Sequence, residues 1–521
     1  MSRTSRRREV AMSRRIVVCG GGSAGGVLAA RLSEDPSNFV TLIEAGPDYR
    51  PPEETAPEVL DADQIGFTTH DWGYSSTDEV VAADGSPTFG IVEQGVVPVL
   101  RGKVIGGSSS VNGANALRPT PEDLARWTAL GNDRWSWDQV LPYLKKLEDD
   151  PVGGELHGTG GPVHIQRFTE GEGLRPVMSA FLDACAQAGH PIHQDMNGSQ
   201  RLGAGPLPLN RADGVRQSSA IAYLAPARDR DNLTVIGGQT VDRVEFAEDG
   251  TTARAVLLAD GTRLEADLVV LCAGSIGSPS ILMRSGIGPR KVLDELDIPV
   301  VQALEGVGKN LRDHPMVYLT YEVDADAVGE LTPPLQTVLT FSAGGPEGAG
   351  DVDLHAVVLT MEPGRLLVPL VIYRPYSLGG MEIVSRDPEA APRIRLGLFD
   401  HPDDLRRMVA GIRHMRTIME SAPLQKYIKA EIWPGPDVTT DADVVRAIRE
   451  GKNTCCHAVG TCAMGGEGTA TAVVDQTGKV HGVEGLYVVD ASIMPDIPAV
   501  PTNTTTMMLA ERCADELRSD T

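Results

Sequence analysis

Short runs of apolar residues that end at glycine or at an acidic residue recur along this chain. The first covers residues 16–19, and a second covers residues 39–43 and ends at Glu44. Comparable runs cover residues 233–236, 268–273 and 486–489. Continuous apolar runs are typical of parallel strands that are buried on both faces and whose carboxyl ends meet at a ligand crevice. Because these runs are far apart in sequence, we expect one parallel sheet built from distant segments.

The loop after the first run has the spacing Gly-x-Gly-x-x-Gly at Gly20, Gly22 and Gly25. The first glycine permits a tight turn, the second lets the backbone approach a pyrophosphate, and the third lets helix and strand pack closely. The helix expected after this loop presents unpaired N–H groups to phosphates. Glu44 lies where a carboxylate accepts hydrogen bonds from a ribose. The pattern predicts a dinucleotide site and leaves NAD and FAD open.

Other stretches have polar and apolar residues in alternation or with a helical period. Residues 316–321 and 356–359 are typical of antiparallel strands, and residues 405–419 and 441–448 of amphipathic helices. We therefore predict an α/β fold, α+β overall, in which a discontinuous Rossmann-like domain receives an inserted domain of antiparallel sheet and helices. The predicted ranges are 14–149, 202–312 and 452–521 for the nucleotide-binding domain, 150–201 and 313–451 for the inserted substrate domain, and 1–13 for a flexible basic tail.

Composition and charge narrow the possible partners. A chain of 521 residues is long enough for two or more domains. Its formal net charge of −24 disfavours nucleic acid and anionic membrane surfaces as partners. We expect no transmembrane segment, because no run of about 20 apolar residues occurs. The seven cysteines show no C-x-x-C pair and no metal-ligand spacing, so we expect free thiols, a cytoplasmic location and no metal.

Two longer segments, residues 101–113 and 274–289, resemble the signature segments of the glucose–methanol–choline (GMC) oxidoreductases. Residues 307–315 also resemble a family segment, as do residues 457–461, 480–483, 489–492 and 494–495 near the C-terminus. The resemblance extends over nearly the whole chain and is greatest to the choline dehydrogenase, aryl-alcohol oxidase and hydroxymethylfurfural oxidase types. It implies an FAD-dependent enzyme that oxidises the CH–OH group of a small-molecule alcohol.

The resemblance also implies where FAD binds. Some relatives attach the flavin covalently through a histidine at the position of Val111, and valine cannot form that bond, so we expect non-covalent FAD. The implied cofactor-binding residues are Gly20, Gly22, Ser23, Ala24, Gly25, Glu44, Arg101, Gly106, Ser108, Asn112, Gly113, Val241, Ala273, Asp490 and Ala491.

By the same resemblance, His457 is the catalytic histidine that accepts the hydroxyl proton while hydride passes to flavin N5. An imidazole suits this role because its pKa lies close to neutrality. The family normally places a second histidine or an asparagine where this chain has Pro501, and proline offers neither a polar side chain nor an N–H group. We predict that Asn503 takes the role, since an amide both donates and accepts hydrogen bonds. The alternative is that His457 works without the usual partner.

Several further points stay open at the level of sequence. The electron acceptor is oxygen or another molecule, and the oligomeric state is undetermined. His314 is expected to anchor a domain junction, and Cys455 and Cys456 are expected to be inert buried thiols. Alternative functions are a hydroxynitrile lyase or a light-driven decarboxylase of the same family, or an NAD-dependent dehydrogenase that shares only the glycine motif.

Overall fold

The computed structural model of the protein describes residues 13–50, 54–64, 69–79, 96–344 and 352–519. The predicted basic tail, residues 1–13, lies outside the described residues apart from residue 13. Within these ranges the chain forms a mixed α/β fold, which confirms the predicted fold class.

A five-stranded parallel sheet forms the centre of the nucleotide-binding part. Its strands, in spatial order, are Leu233–Ile236, Asn38–Ile43, Arg14–Cys19, Leu268–Leu271 and Leu486–Val488. Every pairing between them is parallel. The central strand residues 16–19, 42–43 and 268–271 are all buried and apolar, as is expected of a sheet that is covered on both faces. The apolar runs that predicted this sheet are therefore confirmed as its strands.

Three helices belong to this part of the fold: Ser23–Leu32, Gly274–Arg284 and Thr502–Ser519. The first two begin shortly after a strand of the parallel sheet ends. The last of the three packs along the first, and the contact includes an ion pair of 2.8 Å between Arg31 and the buried carboxylate of Glu511. The hydroxyl of Tyr223 donates a hydrogen bond to the same carboxylate. The C-terminal helix thus fixes the helix that begins at the glycine-rich loop.

A seven-stranded antiparallel sheet forms the second layer. Its strands are Ile428–Trp433, Pro315–Val323, Arg365–Ile372, Leu354–Val357, Thr337–Phe341 and Gly203–Pro206 in order, with Asn453–Thr454 paired to Pro315–Val323. Helices Pro402–Met419, Asp441–Gly451 and Pro176–Gln187 pack on it. The predicted antiparallel strands and amphipathic helices are confirmed here. Two strands, Gly203–Pro206 and Asn453–Thr454, lie beyond the boundaries predicted at residues 201 and 451, and the domain division itself stays a prediction.

Smaller elements connect these two layers. The remaining helices are Pro57–Leu60, Pro121–Ala129, Trp137–Leu147, Ala225–Ala227, Arg290–Glu295 and Ala325–Val328, with helical turns at Gly107–Ser110, Asp133–Trp135, Ala220–Leu224 and Ala491–Ile493. The remaining strands are Tyr74–Glu79, Val96–Val99, Glu148–Asp149, Val163–Gln166, Leu209–Ala212, Val215–Arg216, Val241–Phe246, Ala253–Leu258, Arg263–Glu265, Ile287–Gly288, Gln302–Ala303, Gly380–Glu382 and Arg393–Arg395. Among the described helices, none has the length and apolar character needed to cross a membrane.

Candidate active site

One large cavity lies between the carboxyl ends of the parallel strands and the antiparallel sheet. Its wall on one side consists of residues that directly follow the parallel strands, such as Gly20, Glu44 and Ala273. On the other side it consists of side chains from the antiparallel strands, such as Met316 and Val371. This is the crevice position expected for a ligand of an open α/β sheet.

Most of the residues that the sequence assigned to the cofactor line this cavity. They are Gly20, Gly22, Ser23, Ala24, Glu44, Arg101, Ser108, Asn112, Gly113, Val241, Ala273, Asp490 and Ala491. Gly25 and Gly106 lie behind the wall and shape it. A Cβ on Gly25 would lie 1.9 Å from the carbonyl oxygen of Gly20, and Gly106 has a φ of +86° while its N–H donates to the carbonyl of Gly21.

The glycine-rich loop fits a dinucleotide phosphate. Helix Ser23–Leu32 begins at Gly22, which has no side chain to cap the first N–H groups of the helix. Across from it, a Cβ on Gly107 would lie 2.7 Å from the Cα of Gly22, so the two backbones approach each other with nothing between them. Unpaired N–H groups and a helix N-terminus together attract an anion. These residues therefore fit the pyrophosphate of FAD.

Glu44 is held in place by two backbone groups. One carboxylate oxygen accepts the N–H of Gly21 and the other accepts the N–H of Gly46, each at 2.8 Å. Burial raises the pKa of Glu44 to about 7, although these hydrogen bonds oppose the rise. Each carboxylate oxygen has a second lone pair, so Glu44 retains the capacity to accept a ribose hydroxyl.

Asp490 joins two segments of the cavity wall, the start of helix Gly274–Arg284 and the turn Ala491–Ile493. Its buried carboxylate accepts the N–H of Gly274 at 2.8 Å, the hydroxyl of Ser278 at 2.6 Å and the N–H of Ser492 at 2.8 Å. Three protein donors therefore engage this carboxylate. Its hydrogen bonds fix the segments that carry Ala273 and Ala491, both of which line the cavity.

His457 lies at the wall of the cavity and is partly buried. Its backbone N–H donates to the carboxylate of Asp313 at 2.9 Å. The pKa of His457 is lowered to about 3. Burial is the larger cause, and the positive charge of Arg101 is the second. The guanidinium of Arg101 in turn donates to the carbonyl of Cys456, the residue before the histidine. At neutral pH His457 is therefore an uncharged imidazole.

His314 contacts the ring of His457, a neighbour that sequence reasoning missed. The two Nδ1 atoms are 2.9 Å apart, and Nε2 of His314 lies 3.1 Å from the carbonyl oxygen of Pro498. His314 is fully buried, and burial lowers its pKa well below the ordinary value. The expected role as a domain anchor is thus too narrow. The available signal was the segment 307–315, which resembles the family and directly precedes the strand Pro315–Val323.

The predicted partner Asn503 faces the cofactor loop. Its Oδ1 accepts a hydrogen bond from the hydroxyl of Ser23 at 2.8 Å. Asn503 and Pro501 both line the cavity, but among the described residues no hydrogen bond joins Asn503 to His457. The catalytic assignment of Asn503 stays a prediction.

The side of the cavity beyond His457 is largely apolar. Residues from the antiparallel layer and adjoining loops form it: Met316, Tyr318, Leu335, His355, Val357, Leu359, Pro369, Val371, Tyr373, Cys455 and Pro501. Burial raises the pKa of the Cys455 thiol well above its ordinary value, as it does for Cys456 to about 11. These pKa values favour the protonated thiols at neutral pH, as is typical of unreactive cysteines. Both residues are only partly buried and line the cavity, so the expectation of buried thiols is wrong in that respect.

A separate buried cluster has the residue types of a metal site. Glu148, Asp150 and His157 bring their ligand atoms within 4.8 Å of one another. The two carboxylates already form ion pairs of 2.7 Å, Glu148 with Arg118 and Asp150 with Arg167. These arginines supply the positive charge that a metal ion would otherwise provide, so the cluster is accounted for as an ion-pair network.

Comparison with known proteins agrees with this site. Residues 14–316 and 375–510 match the N-terminal and C-terminal domains described as GMC oxidoreductase. The chain is 35% identical to oxygen-dependent choline dehydrogenase 1 of Chromohalobacter salexigens, covering 96% of this chain and 94% of that one. It is 36% identical to oxygen-dependent choline dehydrogenase of Escherichia coli, covering 96% and 95%.

Among solved structures, the chain is similar to pyridoxine 4-oxidase from Mesorbium loti, with 30% identity and a TM-score of 0.87 over 97% of this chain and 99% of that one. The NAD-dependent, lyase and decarboxylase alternatives are not favoured by these relatives. The cofactor is FAD. The side chain at position 111 is that of valine, which cannot form a covalent bond to the flavin. The chain belongs to the GMC oxidoreductase family and is an FAD-dependent alcohol oxidoreductase.

Proposed function

We propose that this enzyme oxidises an uncharged alcohol with an apolar body, and that His457 is the base. The observation that carries this proposal is the position of His457, between the residues that fit FAD and a chamber of apolar side chains. FAD, when bound, supplies the acceptor for the hydride that leaves the alcohol carbon. We propose that the cofactor-binding residues of the cavity wall hold it, with the glycine loop at the pyrophosphate and Glu44 at the ribose.

The electrostatics of His457 keep it available as a proton acceptor. Because its pKa is about 3, the imidazole is unprotonated throughout the neutral range. Basicity falls with the pKa, so the proton leaves readily after each turnover, while the driving force for accepting it is smaller than for an imidazole that titrates near neutrality. Asn503 is proposed as a second polar group, since Ser23 occupies its oxygen and its NH₂ group still has donors for the substrate oxygen.

The charges in the cavity argue for an uncharged substrate. Among the described lining residues, the charged ones are Glu44, Arg101, Arg284 and Asp490. The two carboxylates are engaged by the protein at the cofactor end, as described above. A buried cation without a counterion is costly, by several kcal/mol. The apolar chamber therefore disfavours a quaternary ammonium group such as that of choline.

The aromatic residues of the chamber do not replace a carboxylate. A cage of aromatic faces is the usual alternative for a quaternary ammonium ion. The ring of Tyr373 packs against the imidazole of His355, with 3.8 Å between centroids, and against that of His314 at 4.3 Å. Tyr318 is then the remaining aromatic residue that the described strands of the antiparallel sheet contribute to the lining. Trp72 and Tyr74 line the cavity from outside this sheet and stack on each other, with 5.6 Å between centroids. One ring does not form a cage, so the proposal differs from the activity named for the choline dehydrogenase relatives.

The test is anaerobic reduction of the bound flavin. The flavin absorbance is monitored after the enzyme is mixed with saturating alcohol. The panel is benzyl alcohol, 1-hexanol, pyridoxine and choline; pyridoxine is included because a similar structure is named for it. We expect at least one uncharged alcohol to bleach the flavin at least about 10²-fold faster than choline, since an unpaired buried charge costs several kcal/mol. Choline as the fastest substrate would contradict the proposed substrate class, and no bleaching by any alcohol would contradict the proposed reaction.

We further propose that oxygen reoxidises the enzyme and that it works in the cytoplasm. The choline dehydrogenase relatives are named as oxygen-dependent and the pyridoxine relative as an oxidase. All seven cysteines are free thiols, which supports a reducing compartment. With the best alcohol of the panel, air should sustain turnover and release hydrogen peroxide. Turnover that requires an artificial acceptor, with no peroxide in air, would contradict oxygen as the acceptor.

A further inference from the structure

We propose that His314 is a positioning residue that holds the proton of His457 on Nδ1, so that Nε2 faces the cavity as the proton acceptor. The proposal rests on the proposed function of His457 as the base. Its starting point is the carbonyl group of Pro498, which fixes the protonation pattern of His314 and, through it, that of His457.

The first step concerns Pro498 and His314. A carbonyl oxygen only accepts hydrogen bonds, so Nε2 of His314, 3.1 Å away, carries a hydrogen. His314 is completely buried, and burial keeps it uncharged. A neutral imidazole has one N–H group. Nδ1 of His314 is therefore a bare acceptor.

The second step concerns the two imidazoles. Nδ1 of His457 lies 2.9 Å from Nδ1 of His314, and two bare nitrogens do not attract each other. Because His314 accepts at this atom, His457 donates, and its single hydrogen is on Nδ1. Nε2 of His457 then has a free lone pair. Among the described residues, no hydrogen-bond partner occupies that atom, and the residue lines the cavity.

The backbone around this pair is held firmly. One oxygen of the Asp313 carboxylate accepts the N–H groups of both His314 and His457, at 2.7 and 2.9 Å. On the other side, the N–H of Ala499 donates to Asp123 at 2.9 Å, which fixes the segment that carries the Pro498 carbonyl. The orientation of each ring is thus set by neighbours that do not touch the substrate.

One further acceptor faces the pair, the backbone carbonyl of Tyr373, which acts on the ring of His314. Among the described carbonyl groups, however, it is that of Pro498 that meets the geometry of a hydrogen bond to this ring. The ring of Tyr373 packs on His314, and His355 packs on Tyr373 as an uncharged imidazole. Burial keeps the thiol of Cys455 protonated, and Arg101 has only donors. Among the described residues, no carboxylate side chain is hydrogen-bonded to either ring. The acceptor for Nδ1–H of His457 is therefore a neutral imidazole.

This arrangement determines the proton transfer. The O–H bond of the alcohol breaks, an Nε2–H bond forms on His457, and the oxygen electron pair becomes the second bond of the carbonyl product. Hydride leaves the same carbon with both electrons of the C–H bond for the cofactor. With the other tautomer, Nε2 would already carry hydrogen and could not accept the proton. In the serine-protease triad a wrong tautomer costs about 10⁴-fold in rate.

The test compares His314→Phe with His314→Asn in the flavin-loaded enzyme. Phenylalanine keeps a ring but offers no acceptor, whereas the Oδ1 of asparagine can accept the Nδ1–H of His457. We expect flavin reduction to slow by about 10²-fold in His314→Phe with an unchanged KM, and by less than about tenfold in His314→Asn. His481→Phe is the matched control, because it also removes an imidazole bonded to a backbone carbonyl, that of Gly465, but away from the cavity. It should reduce flavin at the wild-type rate.

A second measurement reports the tautomer without any variant of His314. The enzyme is labelled with ¹⁵N-histidine, and the signals absent from His457→Gln are assigned to His457. We expect a protonated Nδ1 and a bare Nε2 in the wild type and in His314→Asn, and a mixture in His314→Phe. A protonated Nε2 in the wild type would overturn the proposal, as would equal slowing of both His314 variants with an unchanged tautomer. If no alcohol reduces the wild-type flavin, the proposed function fails while this spectrum still decides the tautomer.

Discussion

His457 and His157 are both enclosed by the fold, but the side chains around them differ. His157 has Nδ1 at 3.1 Å from Asp150 and 3.2 Å from Glu148, and Nε2 at 2.9 Å from Asp195. Burial alone would lower its pKa, but these hydrogen bonds outweigh that effect and raise the pKa to about 10. His457, with an imidazole and an arginine as neighbours, has a pKa of about 3. At neutral pH one ring is a cation and the other is uncharged.

The difference shows why a carboxylate next to the imidazole of His457 would be unfavourable for catalysis. Around His157, three carboxylates face two arginines and one imidazolium, so the charges balance and nothing needs to change during turnover. A carboxylate hydrogen-bonded to His457 would likewise favour the charged form and slow the release of the proton. The fold keeps the Asp313 carboxylate on the backbone N–H groups instead, where it fixes position.

The largest effect is expected from removing the uncharged imidazole. In His457→Gln the hydroxyl proton has no acceptor, so flavin reduction should slow by about 10²- to 10⁴-fold. The measurement is stopped-flow absorbance without oxygen, with flavin content checked first. His164→Gln is the control, because it makes the same replacement at an exposed histidine that lies away from the cavity. Equal rates of flavin reduction in His457→Gln and the wild type would show that His457 is not the base.

The next effect is on stability and concerns the charged histidine. In His157→Gln two buried carboxylates and the partly buried Asp195 lose their shared cation, so the free energy of unfolding at pH 7 should fall by about 3 kcal/mol. Because folding raises the pKa of His157, its contribution is complete below pH 6.5 and is lost as the pH rises through about 10. The free energy of unfolding of the wild type, measured with urea, should therefore fall across this pH range, and that of the variant should fall less.

The exposed pair of His164 and Asp149, also 2.9 Å apart, provides a matched control for this measurement. Surface ion pairs contribute little, so His164→Gln should unfold at the wild-type urea concentration. An identical pH dependence of unfolding in His157→Gln and the wild type would show that His157 is not charged in the fold.

A smaller effect sharpens the account of the low pKa of His457. The charge of Arg101 is the second cause after burial, so Arg101→Met should raise that pKa and Arg101→Lys should leave it nearly unchanged. The acid limb of the pH profile for flavin reduction should lie below pH 6.5 in the wild type and should move up by about one unit in Arg101→Met. If the acid limb lies at the same pH in the wild type, Arg101→Met and Arg101→Lys, then burial alone causes the low pKa of His457.

The smallest effect is expected at Asn503. If His314 fixes the base, Asn503 contributes one hydrogen bond rather than the orientation of His457, and Asn503→Ala should slow flavin reduction by about three- to tenfold. The rate is compared with that of Ser23→Ala, which removes the hydroxyl bonded to the same amide. Unchanged turnover in Asn503→Ala would contradict its predicted role as the catalytic partner.

The parallel sheet was predictable because its strands are continuous apolar runs, and the glycine spacing placed the cofactor loop directly after the first of them. The pairing of His314 with His457 was not, since 143 residues separate them and tertiary contacts, such as the pairing of Pro315–Val323 with Asn453–Thr454, bring them together. The His157 cluster was not predicted either, because its spacing matches no metal or catalytic motif. The strand Gly203–Pro206 was missed as part of the antiparallel sheet because its small residues give no alternating pattern.

The order of the parallel strands has a consequence for biosynthesis. The second strand in sequence lies beside the first, but the edge strand Leu486–Val488 and the helix that packs on Ser23–Leu32 are synthesised after the other four strands of the sheet. A nascent chain that ends before residue 486 therefore lacks this helix, as well as Asp490 and Ala491, which line the cavity. We expect such a chain to retain FAD less well than the chain of 521 residues.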